Sequence, residues 1–169
     1  MNTLGSHPGA ILFRLSIMFL LIAFLVVVFF NYVDEAEFEI ERKSVLQTKK
    51  IIDSALAVVF ATYAVNHRLG ELNDLDGGNP FVFLEEYQML PPAYVGEIDH
   101  DPGADQETGW YYLRHRRTLV YKSLFSDANH YFKVVLNYQD LNQSGSFEFA
   151  TDKFQGLQFV KIAQPAPGS

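Results

Sequence analysis

Asp140-x-Asn142-x-Ser144-Gly145-x-Phe147-Glu148 has the oxygen-ligand spacing of the first half of an EF-hand loop, with glycine at the sixth position, where the chain must turn sharply. The twelfth position, which should supply a bidentate carboxylate, is Thr151. Asp140, Asn142, Ser144 and Glu148 therefore have two readings. They are ligands for Ca2+, or they frame a plain hairpin turn, Asn142-Gln143-Ser144-Gly145, and the turn is preferred. A second set of hard oxygens, Asp99, Asp101, Asp105 and Glu107, falls in one polar loop. A divalent cation would relieve their repulsion, but the order is not a calcium-loop pattern, and a solvated acidic loop is the alternative. His7, His67, His100, His115 and His130 show no H-x-x-x-H or comparable metal spacing. Arg114-His115-Arg116-Arg117 is the one basic cluster and reads as a hairpin tip, either solvated or facing acidic lipid or an acidic partner. No serine sits in a nucleophile elbow, no P-loop occurs, and Glu85-Glu86 point apart on a helix. The expectation is no enzyme and no cofactor, with Ca2+ the sole candidate ion.

The chain has 169 residues, 49% of them hydrophobic, 20% charged and 15% aromatic, which excludes a disordered protein. Without cysteine there is no disulfide scaffold, thiolate zinc site or cysteine nucleophile. A net charge of −7 lacks the basic face that phosphates demand, so nucleic acid is not an expected partner.

These residues must be positioned by a small set of elements. Leu15 to Val33 is apolar apart from Ser16 and Asn31. At 1.5 Å per residue this helix reaches about 28 Å, near the ~30 Å hydrocarbon core. The reading is a short N-terminal segment (1–14), a retained transmembrane helix (15–33), a domain (34–163) and a flexible tail (164–169). Arg42, Lys43, Lys49 and Lys50 follow the span and only Arg14 precedes it. Charge alone is close to balanced on orientation, leaning towards a cytoplasmic C-terminal side.

No proline occurs between Pro8 and Pro80, and Phe38, Val45, Ile52 and Val59 recur every seven residues. That spacing marks one face of a helix running on from the span to about residue 70. Ile51–Val65 is apolar almost all round, but Asp53, Ser54 and Thr62 argue against a second span and for a helix wrapped on several sides by its own domain. A connecting region (71–108) follows, with a short helix from Phe81 to about Leu90. Period-two patterning then predicts strands at Gly109–Arg114, Thr118–Ser123, Tyr131–Tyr138, Ser146–Ala150 and Leu157–Ile162. The fold class is α+β: a long N-terminal helix, half transmembrane and half amphipathic, packed on an antiparallel β-sheet.

Two parts of the chain resemble type IV pilins and their pseudopilin relatives. Gly9-Ala10-Ile11-Leu12-Phe13-Arg14-Leu15 parallels the pilin processing motif, with Gly9 before the cut, Ala10 after it, and Arg14 where the family carries glutamate. Gly78-Asn79-Pro80-Phe81, Leu90-Pro91-Pro92-Ala93-Tyr94-Val95-Gly96-Glu97, Pro102-Gly103, Gly109-Trp110-Tyr111-Tyr112 and Thr118-Leu119-Val120-Tyr121-Lys122 resemble the connecting region and first hairpin of pilin-like proteins from mannose-sensitive haemagglutinin (MSHA) pilus systems. The resemblance covers roughly residues 9–125. It implies a pilin-like fold and an accessory role in a type IV pilus (MSHA-like) or type II secretion assembly. The implied place is the bacterial inner membrane, single-pass, with the C-terminal domain in the periplasm. The partners would be membrane lipid and other pilin-like subunits or assembly-platform proteins. Gly9, Ala10 and Arg14 become processing and assembly positions, and Phe38, Val45, Ile52 and Val59 a packing face. The alternative is a single-span extracytoplasmic sensor, its pocket lined by Trp110, Tyr111, Tyr112, Tyr121 and Tyr131, although aromatics alternating along strands are more often core.

Overall fold

A helix with no internal proline dominates the chain, and its two halves belong to different units. The structure, a computed structural model, describes residues 8–126 and 128–164. The chain divides into two units, Met1–Lys43 and Ser44–Ser169, and α1 (Pro8–Val65) contributes to both. Residues 1–7 of the expected N-terminal segment, His7 among them, and 165–169 of the expected tail fall outside the described residues. Among the described residues the helix is already formed at Pro8, so it includes residues 8–14 as well as the expected span 15–33.

In the first unit α1 is the only element among the described residues. Its large apolar side chains from Leu12 to Phe30 are exposed, and its mean hydropathy peaks at 2.8, so it is long and apolar enough to cross a bilayer. Gly9, Ala10 and Arg14 are all helical, and Arg14 is exposed.

In the second unit the remainder of α1 packs on a five-stranded sheet, giving an α+β fold. The strands are β1 (Tyr94–Ile98), β2 (Gly109–Leu113), β3 (Thr118–Lys122), β4 (His130–Gln139) and β5 (Lys153–Ile162), ordered β1-β2-β3-β4-β5. Of the expected face, Ile52 and Val59 are buried in this unit, and Val45 packs at the margin of the core. Leu56 joins them one row over. Burying such side chains stabilises the fold by about 1.5–3 kcal/mol each. Phe38 lies in the first unit and is 48% exposed.

The helix ends at Val65 rather than near residue 70. Arg68 N–H donates to the Tyr63 carbonyl (2.8 Å) and His67 N–H to that of Ala64 (3.3 Å), with His67 at φ 56°. This is a Schellman closure with histidine in the usual glycine place, so Gly70 is not the terminator. A 3-10 helix (Leu69–Leu75) follows and buries Leu72 and Leu75. Asn79 then caps α2 (Pro80–Glu86), accepting the Phe81 N–H at 3.1 Å. A second Schellman closure, with Gln88 at φ 56°, ends α2 four residues before the expected Leu90.

The sheet is mixed. Strands β2 to β5 pair antiparallel as expected, whereas β1, which lies inside the expected connecting region, pairs parallel with β2. Gly109 makes this approach possible: a Cβ there would stand 2.5 Å from the Ala93 carbonyl oxygen. Ser146–Ala150 is not a strand. Phe147 is drawn into the core, its carbonyl accepts from Asn73 Nδ2 (2.7 Å), and Thr151 and Asp152 N–H groups close on the Glu148 carbonyl. The alternation of Ser146-Phe147-Glu148-Phe149 imitates a strand, but its backbone groups are used in turns.

Both faces of the sheet are buried at β2 and β3. On the α1 side Trp110, Tyr112, Leu119, Tyr121, Phe132, Val134 and Phe159 meet Ile52, Leu56 and Phe81. On the far side Leu113, Val120 and Tyr131 pack with Ile98 and Ile162.

Candidate functional site

The two charged clusters of the sequence, one acidic and one basic, lie together. The β2–β3 turn is closed by the Arg117 N–H donating to the Arg114 carbonyl (3.3 Å), with Arg117 at φ 49°. Arg114 Nε meets Glu97 (3.0 Å) and its Nη1 meets Asp99 (3.5 Å), while Arg116 Nη1 meets Asp101 (2.9 Å). Arg117 reaches the Asp74 carbonyl at 3.2 Å. The arginines of the basic cluster thus clasp their own chain, Arg116 largely buried in doing so and Arg114, His115 and Arg117 exposed.

The loop 99–107 owes its position to strand direction. Parallel neighbours need a crossover, and α1 already occupies one face of the sheet. The loop therefore runs over the other face. Pro102 is buried, its carbonyl accepts from Asn129 Nδ2 (3.4 Å), and the Tyr111 hydroxyl donates to the Glu107 carbonyl (2.7 Å). Lys122 Nζ donates to the carbonyls of Ala104 and Gln106. Burial raises the pKa of Tyr131 and of Tyr111. The Asn79 amide and then Arg114 hold the Glu97 carboxyl below the usual carboxylate range, and Glu97 in turn raises Arg114. The outer side of the loop borders an open cleft of about 450 Å3, lined in part by Asp99, His100, Asp101 and Asp105.

In the loop between β4 and β5 the side chains are spent on the backbone. Asp140 accepts from the N–H groups of Ser144 (3.2 Å) and Gly145 (2.8 Å). Asn142 Oδ1 also accepts from Ser144 N–H (3.1 Å), and its Nδ2 donates to Glu148 (2.9 Å). Asn142 thus offers Glu148 an N–H donor rather than a metal-binding oxygen. The turn reading describes this arrangement, although the second strand begins at Lys153. Among the described residues no group of three or more His, Asp or Glu stands close enough to hold a metal ion.

Some structural polar residues carried little sequence signal. Asp152 is buried and accepts from Leu141 N–H (3.0 Å) and Glu148 N–H (2.8 Å), fixing both ends of the β4–β5 loop. Asp76 Oδ1 accepts from Leu136 N–H (3.0 Å), and Gly77 N–H donates to the Val134 carbonyl (2.8 Å), covering β4 where β3 stops. Asp53, which argued against a second span, accepts from Phe159 N–H (3.1 Å) on the edge strand β5 and pairs with Lys49 at 2.7 Å. Ser54 and Thr62 donate to helix carbonyls four residues back. The stretch Ile51–Val65 is wrapped on one side only: Ala57, Val58, Ala61 and Val65 are exposed.

The aromatic set suggested for a sensor pocket is core. Trp110 is 1% exposed and packs on Tyr121, Phe132 and Phe81, with ring centroids 5.0, 5.1 and 6.0 Å away. Burial likewise raises Tyr112, whose hydroxyl donates to the Gly77 carbonyl at 2.9 Å. No family model, no curated protein and no solved structure matches the chain.

Proposed function

We propose that the chain is a membrane-anchored, pilin-like accessory component of a type IV pilus (MSHA-like) or type II secretion assembly, working by protein contact. The observation that carries the reading is one helix serving two environments. Its first part exposes an unbroken apolar surface from Ile17 to Phe30, and its last part supplies Ile52, Leu56 and Val59 to the core of an α+β domain. The resemblance of Gly9–Leu15 and of the stretch from Gly78 to Lys122 to pilin-like motifs supports this type of assembly. In this reading residues 44–164 face the periplasm, and Arg14 at the membrane edge meets an acidic group or a lipid phosphate of the platform.

Intact mass of the protein from its native membrane separates two forms of the role. A chain starting at Ala10, with or without N-methylation, is a processed subunit; one starting at Met1 is a permanent anchor. Cross-linking from exposed positions Val58 and Val65 should capture pilin-like or platform proteins, and loss of the chain should lower pilus assembly or secretion. Unchanged assembly and secretion, with no such cross-links, would overturn the reading.

A further inference from the structure

The β4–β5 loop spells a second motif. Asn142-Gln143-Ser144 is an Asn-x-Ser acceptor sequence for N-linked glycosylation, with a residue other than proline in the middle. Asp140, two positions earlier, gives it the acidic form used by bacterial transferases. No other asparagine in the chain stands in an Asn-x-Ser or Asn-x-Thr pattern.

We propose that Asn142 is the acceptor for one N-linked glycan, its donor an oligosaccharide carried on a lipid pyrophosphate. The inference rests on the periplasmic placement of this unit in the reading above. Leu141 to Ser146 are all exposed, and the chain turns through positive φ at Gln143 (58°) and Gly145 (79°). The Asn142 Oδ1 bond to Ser144 N–H closes an Asx turn that sets the carboxamide beside the serine of its own motif. The neighbours of Nδ2 are the exposed side chains of Glu148 (2.9 Å) and Thr151 (3.4 Å), so a transferase need only displace surface groups to reach the nitrogen. Asp152 holds both ends of the loop, so the tip can enter an enzyme without opening the β4–β5 ladder.

In the transfer, Asn142 Nδ2 bonds to the anomeric carbon of the first sugar. The bond from that carbon to the pyrophosphate oxygen breaks, and its electron pair leaves with the lipid pyrophosphate. One amide proton passes to solvent. The remaining Nδ2 hydrogen can still donate to Glu148, so the loop can keep its fold after modification.

The test uses the full chain in detergent with a single-subunit bacterial oligosaccharyltransferase and a lipid-pyrophosphate-linked oligosaccharide of known mass. The expected result is an intact-mass increase of one glycan, located on the Asn142 peptide and abolished by Asn142→Gln and by Ser144→Ala. Asp140→Ala should slow the reaction at least tenfold and Asp140→Glu should largely preserve it. An unmodified folded chain overturns the proposal, whether or not an unfolded peptide spanning 138–146 is modified, as does a mass increase that survives Asn142→Gln. Placement is read separately in intact spheroplasts, by labelling Lys153→Cys, in a chain with no native cysteine, with a membrane-impermeant thiol reagent. Labelling only after lysis overturns the periplasmic reading and the inference with it, whereas an accessible domain whose Asn142 the enzyme leaves unmodified overturns the inference alone.

Discussion

Gly109→Ala should destabilise the second unit by about 2–6 kcal/mol. A Cβ at this position would lie 2.5 Å from the Ala93 carbonyl oxygen and 2.8 Å from Val95 Cγ2, both closer than a real Cβ comes. That carbonyl cannot simply retreat, because it accepts the Trp110 N–H at 2.8 Å and fixes the start of the β1–β2 pairing. The backbone adds a separate cost, since φ at Gly109 is +151°, a region that side chains avoid. Such strain is worth about 1–3 kcal/mol, and forcing a methyl into a packed contact about 1–3 kcal/mol more. For a unit of this size the loss should lower Tm by roughly 10 °C or more. The assay is internal: Trp110 is the only tryptophan, is buried, and lies in the second unit, so its fluorescence during urea or thermal unfolding follows that unit. Gly70→Ala is the control, because nothing stands within 4 Å of its added Cβ; its stability should be unchanged or up to about 1 kcal/mol higher. A Gly109→Ala loss below about 0.5 kcal/mol would refute the close parallel approach of β1 to β2.

The remaining predictions use the same fluorescence. His67→Gly should raise stability by about 0.5–1 kcal/mol, since it removes a left-handed side-chain penalty of roughly 1–2 kcal/mol and adds some unfolded-state freedom. Asp152→Ala strips the acceptor from two backbone N–H groups and should cost about 1–3 kcal/mol, with faster hydrogen exchange at Leu141 and Glu148. Glu97 titrates below its ordinary value in the folded state, so its contribution is complete above about pH 4.3 and is lost as pH falls through the lower folded value. Glu97→Gln should flatten that acid limb, by under about 1 kcal/mol because the carboxyl is partly exposed. Tyr112 and Tyr131 titrate above theirs, so their contribution is present below about pH 10 and is lost as pH rises through the folded values. Tyr112→Phe and Tyr131→Phe should flatten the alkaline limb.

Elements with strong periodicity were legible in the sequence: α1, the row in which Ile52 and Val59 are buried and Val45 partly so, the β2–β3 hairpin, and β4. Those defined by exceptions were not. Two helices end on His67 and Gln88 in a conformation that normally announces itself with glycine. Strand β1 holds Gly96 in its middle and follows Pro91-Pro92, and its parallel pairing leaves no local hairpin signal. Ser146–Ala150 has the right alternation, but a buried Phe147 and an exposed Phe149 satisfy the same pattern without a ladder. The acidic and basic clusters were both visible, but their pairing was not, because Asp101 and Arg116 meet only through tertiary structure.

That pairing follows from the sheet itself. Where both faces of the sheet are buried, at β2 and β3, the face opposite the one long helix must be covered by chain that has no regular structure. A parallel β1–β2 connection brings such a segment there. Its acidic character then requires partners, and the β2–β3 turn supplies Arg114 and Arg116. The loop of Asp76 and Gly77 does the same for β4 beyond the end of β3, and Asp53 for the edge of β5. Residues that looked able to do chemistry are thus used to close a small domain that has no cysteines to staple it. Among the surfaces that the second unit leaves outward are the apolar strip of Ala57, Val58, Ala61 and Val65 on α1 and the loop tip from Leu141 to Ser146. An apolar helix face and an exposed turn are the surfaces on which the proposed function of contact would rest.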